Sequence, residues 1–541
     1  MSPARREAAR GRAAAPFGPE LALFWVSALA LFLELLLIRW VSTEIRIFAY
    51  LQNTVLVVCF LGLGAGLFSA RRPVWIGRAM WSLVVLMALL AIPFSRRLVH
   101  RTSELLSVLG GLSIWNEGFG SDPLDTALRV LLGLTLTFAV MALILPPFLP
   151  IGRLLGRLLD AHPRPILAYS LNLLGSLTGV WLFVLLSWLQ LSPVWWFAVF
   201  GLISLPLAAA RGPRGWIPAL PLLLVVILSR FTTEAPHARE TVWSPYQKLA
   251  LYGPDSGGVG PLGYTIEVNN VGYQAILDLR PETVATTPDI HPAEQAGYSQ
   301  YDIPLRTHPA PSRVLIVGAG AGNDAAGALR QGAERVTAVE IDPAILDFGR
   351  RYHPERPYES ERVRVVTDDA RSFFAREDEA YDLIIFGLLD SHTTTAMTNA
   401  RLDHYVYTRE SIERARDLLA EGGVLALGFE AAKPFIADRM AGVLREAFGE
   451  EPIVFRVPRN GYGWGGVLFL AGDLDGVRTQ IAGDPRLASL IATWKRQHPV
   501  ELSYSTAPTT DDWPYVYLER RRVPALYFLL GGLMVLLFLY V

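Results

Sequence analysis

The sequence predicts two fold classes in one chain: an α-helical, multi-span membrane domain, followed by a doubly wound α/β domain. Three observations carry this expectation. Of 541 residues, 52% are hydrophobic and 18% charged, against roughly 25% charged in an ordinary soluble domain. The apolar excess is concentrated in residues 17–230 and 523–541, whereas 231–522 has the composition of a globular segment. From Val314 onward, short apolar stretches alternate with helix-forming ones, as in a parallel sheet with crossover helices.

Composition also narrows the function. Basic and acidic residues number 49 and 50, for a net charge of −1. Such a balance supplies no global field for a polyanion, so nucleic acid is not an expected partner. The single cysteine, Cys59, lies in an apolar run. No disulfide framework or cysteine-based zinc site can be built from it, and no metal site is expected.

A spanning helix needs about 20 mainly apolar residues. By that measure spans fall near 20–40, 47–70, 74–95, 126–150, 164–189, 192–210 and 215–230, with a final one at 523–541. The basic stretch before the first span is followed by a run of full spanning length without a small-residue cleavage site, which reads as an anchor. Glu34 and Arg39, in or at the end of that span, are functional candidates because an ionisable group in a bilayer is costly. The plainer reading is an interhelical pair. Gly175 and Gly179, after Asn172, have the small-xxx-small spacing that lets helices approach closely.

Arginines at 5, 6, 10 and 12, at 71, 72 and 78, and at 153, 157 and 164 favour a cytoplasmic N-terminus. Seven spans would then place the globular domain outside. Arg520, Arg521 and Arg522, on the domain's side of the last apolar run, instead place it in the cytoplasm. The conflict disappears if 192–230, broken by Arg-Gly-Pro-Arg-Gly, spans once, or if Leu105–Trp115 re-enters. The expected location is integral to a membrane, a bacterial inner membrane, with the globular domain cytoplasmic. The expected domains are a helical region over 1–230 with six or seven spans, a globular part over 240–475, an extension over 476–522 and a final span over 523–541.

In the globular part, Val314–Val317 is a buried strand, and the turn Gly318-Ala-Gly320-Ala-Gly322-Asn323-Asp324 opens a helix ending near Gly332. Strands follow at Val336–Glu340, Val363–Val366, Leu383–Phe386 and Val424–Phe429, with helices near 343–351, 370–376 and 409–420. This is a doubly wound, Rossmann-like nucleotide-binding sheet. Glycines let the backbone approach a ligand at a helix N-terminus, where free amides point outward. Glu340, at the end of the next strand, is placed to accept two hydrogen bonds from a ribose diol. Asp368-Asp369-Ala370 ends the third strand, where an acid can receive an adenine amino group or cap the next helix. Asp390 and His392 follow the fourth strand, outside the carboxyl ends of the sheet, where an acceptor binds and loses a proton. Arg401, Asp403, Tyr405 and Tyr407, ahead of Thr408, read as a lid over the acceptor or as packing before a helix.

With those residues in place, residues 240–475 resemble the spermidine synthase family of class I transferases, in its membrane-fused form. The resemblance rests on Ser244-Pro245-Tyr246-Gln247, Val268–Gln274, the approach Ile303–Leu315 to the glycine turn, Gly461-Tyr-Gly-Trp464-Gly-Gly, and Thr510-Asp511-Asp512-Trp513-Pro514. It implies a small N-terminal β-domain over 240–300 and a class I methyltransferase-type sheet over 301–475. It further implies a pocket for S-adenosylmethionine or its decarboxylated form, held by Gly318, Gly320, Gly322, Asn323, Asp324, Glu340, Asp342, Asp368, Asp369 and Ala370. The acceptor side is expected to use Gln247, Gln274, Tyr298, Arg401, Asp403, Tyr405 and Tyr407, with Asp390 and His392 catalytic.

Two positions depart from the polyamine-making pattern: Ala321 and Gly387 stand where the family carries carboxylates for the aminopropyl amine and the acceptor amine. A free ammonium would lack those charge partners. The leading expectation is therefore methyl transfer from S-adenosylmethionine to a small-molecule or lipid-linked acceptor in or near the bilayer. Aminopropyl transfer is the first alternative and a nucleoside-sensing regulatory module the second. A homodimer is left open.

Overall fold

The computed structural model describes residues 18–107, 123–209, 219–254, 263–389 and 402–540. The chain divides into two compact units: Met1–Pro236 with Val242–Lys248 and Val523–Val541, and His237–Thr241 with Leu249–Arg522.

The first unit is helical, with α1 (Pro19–Glu44), α2 (Gln52–Phe68), α3 (Trp81–Ala91), α4 (Pro93–Ser107), α5 (Pro123–Ile144), α6 (Phe148–Ala161), α7 (Pro165–Trp188), α8 (Pro193–Ala209) and α9 (Leu220–Thr233). Three helices, Pro19–Glu44, Leu124–Ile144 and Pro165–Trp188, are long and apolar enough to cross a membrane. The stretches expected at 47–70, 192–210 and 215–230 form shorter apolar helices. The stretch at 74–95 bends by 92° between Ile76–Ala91 and Pro93–Leu106. Proline is the cause, because it removes an N–H and its ring clashes with the preceding turn. Arg211–Gly215 and most of Leu105–Trp115, proposed as alternative breaks, lie outside the described residues.

Close packing of α1 on α7 follows from the two glycines. A Cβ on Gly175 would fall 2.2 Å from the Phe24 carbonyl oxygen, and one on Gly179 2.2 Å from that of Ala28. Beside them, Ser27 Oγ donates to Asn172 Oδ1 at 2.8 Å. Arg39 stacks over Trp196, 4.9 Å from its ring centre, and donates to the Ser244 carbonyl. Glu34 Oε2 is buried without a hydrogen-bond partner among the described residues. Lys248 Nζ instead pairs with Glu44 Oε1 at 2.7 Å, both side chains almost fully buried.

A four-stranded sheet has the order β1 (Glu240–Trp243), β2 (Lys248–Tyr252), β3 (Gly263–Val268), β4 (Val271–Leu277), with β2, β3 and β4 paired antiparallel. Val268–Gln274 is not one strand but the end of β3, a tight turn and the start of β4. Asn269 and Asn270 both adopt positive φ, 49° and 66°, which asparagine tolerates and a two-residue hairpin requires.

The main sheet contains β5 (Arg313–Val317), β6 (Arg335–Glu340), β7 (Val363–Thr367), β8 (Tyr381–Phe386), β9 (Leu419–Phe429), β10 (Ile453–Val457) and β11 (Gly466–Gly472), in the order β10-β11-β9-β8-β5-β6-β7. β5 to β9 run parallel, and β11 and β10 are antiparallel. The strand order reverses between β5 and β8, and ligands bind outside the carboxyl ends of the strands at such a switch point. The crossing helices are α10 (Asn323–Arg330), α11 (Pro343–Tyr352), α12 (Ala370–Arg376), α13 (Arg409–Asp417) and α14 (Pro434–Phe448). Val314, Ile316, Val336, Ala338, Leu383 and Ile385 are buried together in the core, the consequence of continuous apolar strands covered on both faces.

Residues after the sheet are strapped onto α14. Asp438 accepts backbone N–H bonds from Ser503, Tyr504, Ser505 and Thr506. Buried Arg439 donates to the carbonyls of Ala507, Val516 and Leu518. Helix α15 (Ala525–Tyr540) ends the described chain.

Candidate active site

The glycine turn is held open by positive φ at Gly318, Gly320 and Gly322, 71°, 56° and 108°. Other side chains would be strained there. Glu340 closes the turn from the end of β6: Oε2 accepts from the Gly320 N–H at 3.0 Å and Oε1 from the Asp342 N–H at 2.9 Å. Burial lifts the Glu340 carboxyl to about 7 against those bonds. The carboxylate thus stands beside the turn with lone pairs left for a diol. Tyr358 braces the other side by donating to the carbonyls of Ala319 and Gly320, at 3.1 and 2.7 Å.

Asn323 and Asp342 serve the scaffold. Asn323 Nδ2 donates to the Ala275 carbonyl (2.6 Å) and Tyr301 Oη (3.1 Å), while its Oδ1 accepts from the Leu277 N–H (3.2 Å) and His353 Nε2 (3.2 Å). His353 Nδ1 accepts from the Glu355 N–H, which leaves the ring proton on Nε2. Burial and then Arg330 press its pKa down to about 3, so the ring is neutral. Asp342 is fully buried and caps α11 through the Ala344 N–H at 3.0 Å. Asp369 likewise caps α12, which begins at Ala370, through the Ser372 N–H at 3.0 Å. Asp368 accepts from the Asp369 N–H and pairs with Arg376. Asp369 thus forms the helix cap, whereas Asp368 does not.

A cavity opens at the switch point, between the glycine turn and the Gly387 end of β8. Its lining includes Gln274, Gln300, Tyr301, Gly318, Gly320, Asp324, Gly387 and Trp464. Gln274 fits its expected position: Oε1 accepts from the Ala321 N–H at 3.1 Å. Gln300, whose Oε1 accepts from the Gly465 N–H at 2.6 Å, and Trp464, packed against Gly272, were not singled out as site residues. The Gly461–Trp464 motif was the available signal for the second.

Several expected acceptor residues lie elsewhere. Tyr298 Oη donates to both carboxylate oxygens of Asp484 at 3.0 Å, and Arg306 stacks on its ring at 4.1 Å. It anchors the start of a late helix, and the tyrosines that line the cavity are Tyr273 and Tyr301. Gln247 belongs to the Ser244–Gln247 turn, where its carbonyl accepts from the Ser244 N–H at 2.9 Å. It is not among the described residues lining the cavity. Tyr407 is buried against Phe429, ring centres 4.9 Å apart. The Tyr405 carbonyl accepts from Arg371 at 3.1 Å. That arginine is gripped by both oxygens of Asp511 at 2.8 Å, and Thr408 donates to Asp511 at 2.7 Å. Residues 405–408 therefore pack toward the C-terminal strap. Asp390, His392 and Arg401 lie outside the described residues, as does the side chain of Asp403.

The parallel sheet, the glycine turn and the carboxylate at the end of β6 together have the arrangement of a Rossmann-like, class I methyltransferase-type fold. Residues 300–446 match the family described as spermine/spermidine synthase domain, and the chain carries such a domain. Curated relatives named polyamine aminopropyltransferase include one from Desulforudis audaxviator, 37% identical over 170 residues (30% of this chain, 52% of that protein). Another, from Nitrosomonas europaea, is 30% identical over 170 residues (30% and 50%). The chain spans about half the length of these relatives. Among solved structures, the spermidine synthase from Thermotoga maritima aligns at 18% identity with a TM-score of 0.33, over 55% of this chain and 89% of that one.

Proposed function

We propose that the chain is a membrane-anchored aminopropyl-type transferase that takes decarboxylated S-adenosylmethionine as donor and an amine as acceptor. The carrying observation is the charge of the cavity. Among its described lining residues there is one acid, Asp324, and no Arg, Lys or His. A methionine-type tail would bring a carboxylate with no cationic partner among those residues, whereas the decarboxylated tail carries no such anion. The names of the relatives support the same reading, and the spermidine synthase family uses this donor.

In this reading the glycine turn and Glu340 hold the nucleoside, Tyr358 keeps the turn in shape, and Gln274 fixes the turn from the small sheet. Attack on a sulfonium carbon needs alignment above all, which a cavity walled by rigid strand ends and the Trp464 hairpin supplies. Methyl transfer from S-adenosylmethionine itself is the second reading, favoured by Ala321 and Gly387. Membrane anchoring is supported by three helices of spanning length and composition, and a cytoplasmic side for the globular unit by Arg520–Arg522.

The test is a transfer assay on the full chain in detergent, with either donor and a panel of diamines, read by mass spectrometry. An amine heavier by one aminopropyl group, formed only from the decarboxylated donor, is the expected product. Methylated products from S-adenosylmethionine alone would replace this reading with the second.

A further inference from the structure

The geometry points to Asp324 as the group that binds the acceptor's ammonium in the cavity and takes its proton. This deepens the aminopropyl reading and rests on it for the transfer step, but the amine site itself is testable without turnover.

Asp324 begins α10, yet its carboxylate is turned to the switch point. It is nine-tenths buried and lines the cavity beside Gly318, Gly320 and Gly387. A Cβ added to Gly387 would fall 3.3 Å from Asp324 Oδ2 and 3.0 Å from the Gly318 carbonyl oxygen. The carboxylate therefore occupies the space that a side chain at 387 would enter. Gly387 and Asp324 are complementary: the residue lacking a side chain leaves room for the one that supplies an acid from the helix after the neighbouring strand.

The surroundings suit proton transfer. Burial lifts the Asp324 carboxyl to about 7, with Arg330 opposing. The charged and titratable groups around it are Arg330 on its own helix, Tyr301 on the preceding loop and Tyr358 beyond the turn. Burial raises both tyrosines above their ordinary values, and the acids Asp302 and Glu355 raise Arg330. All three thus keep one ionisation state through neutrality. A base that titrates near the working pH is the efficient kind.

The step balances as follows. The acceptor enters as an ammonium and passes one proton to Asp324. The freed lone pair forms a bond to the aminopropyl carbon next to the sulfonium. That carbon–sulfur bond breaks with its electron pair going to sulfur, leaving a neutral thioether nucleoside and a secondary ammonium on the product.

The experiment titrates putrescine into full-length protein saturated with methylthioadenosine, by calorimetry in detergent. The expected result is binding that Asp324→Asn weakens by at least about tenfold, with methylthioadenosine still stabilising the variant. Asp324→Ala/Gly387→Asp is expected to recover binding. Wild-type affinity is expected to fall as pH drops through about 7 while the nucleoside stays saturating. No amine binding, or binding that ignores both Asp324→Asn and pH, would overturn the assignment, as would loss of binding in Asp390→Asn alone. If Asp324→Asn does not fold, the wild-type pH series and the double variant decide. Asp324-dependent amine binding without aminopropyl transfer would sink the proposed function and leave this site standing.

Discussion

Asp324 and Gly387 share one space: a side chain at 387 would start 3.3 Å from the Asp324 carboxylate. The acid comes from α10 rather than from the loop after β8, and burial keeps it near neutrality in its titration. A buried charge held for chemistry carries a stability cost, and that cost can be measured.

Asp324→Asn is expected to stabilise the ligand-free protein at about pH 8, by about 1–2 kcal/mol. Asp324 and Glu340 both titrate at about 7 in the fold, against 3.8 and 4.5 for ordinary carboxyls. Between those values the folded state holds more protons than the unfolded one. Stability therefore falls as pH rises from about 4 to about 7 and levels off above. Thermal unfolding across this range checks the slope, and a variant less stable than wild type at the upper end contradicts it.

Glu340→Gln is expected to weaken methylthioadenosine binding by about 10- to 100-fold while leaving the fold intact, because a charged acceptor facing a diol becomes a neutral one. Calorimetry reads the affinity. An unchanged constant would place the ribose elsewhere.

Asp438→Ala is expected to cost about 1–3 kcal/mol by removing the charged acceptor of several half-buried N–H groups of the strap. Burial pushes the Asp438 carboxyl up, but the Thr506 hydroxyl and the backbone amides of Thr506, Tyr504 and Ser503 outweigh it and hold the group well below the usual range. Its contribution is accordingly full above about pH 4 and lost as pH falls further. Limited proteolysis near Ser503–Glu519 would report the released strap.

Gly175→Leu is expected to abolish close packing of α1 on α7, since even a Cβ meets the Phe24 carbonyl at 2.2 Å. Yield of monodisperse protein in detergent reads the loss. Wild-type behaviour would contradict the contact.

The sheet was legible because its parallel strands are buried on both faces and read as unbroken apolar runs, with Glu340 fixed by its distance from the glycine turn. Gly175 and Gly179 were legible because helical spacing is regular. Other assignments were not. Tyr298 and Tyr301 lie in an irregular loop, where no period says which one faces the cavity. Asp369 carries both a cap signal and a ligand signal, and the cap is formed by its bond to the Ser372 N–H. The breaks near Leu51 and Pro93 shorten helices that hydropathy alone runs together. Above all, the loss of acids at 321 and 387 was visible, whereas their complement in Asp324 depends on which way one helix N-terminus faces.

The most direct measurement is calorimetric comparison of decarboxylated S-adenosylmethionine with S-adenosylmethionine on the full-length protein. The decarboxylated form is expected to bind at least about tenfold more tightly, because the described lining of the cavity offers no cation to a methionine carboxylate. Tighter binding of the carboxylated form would contradict it.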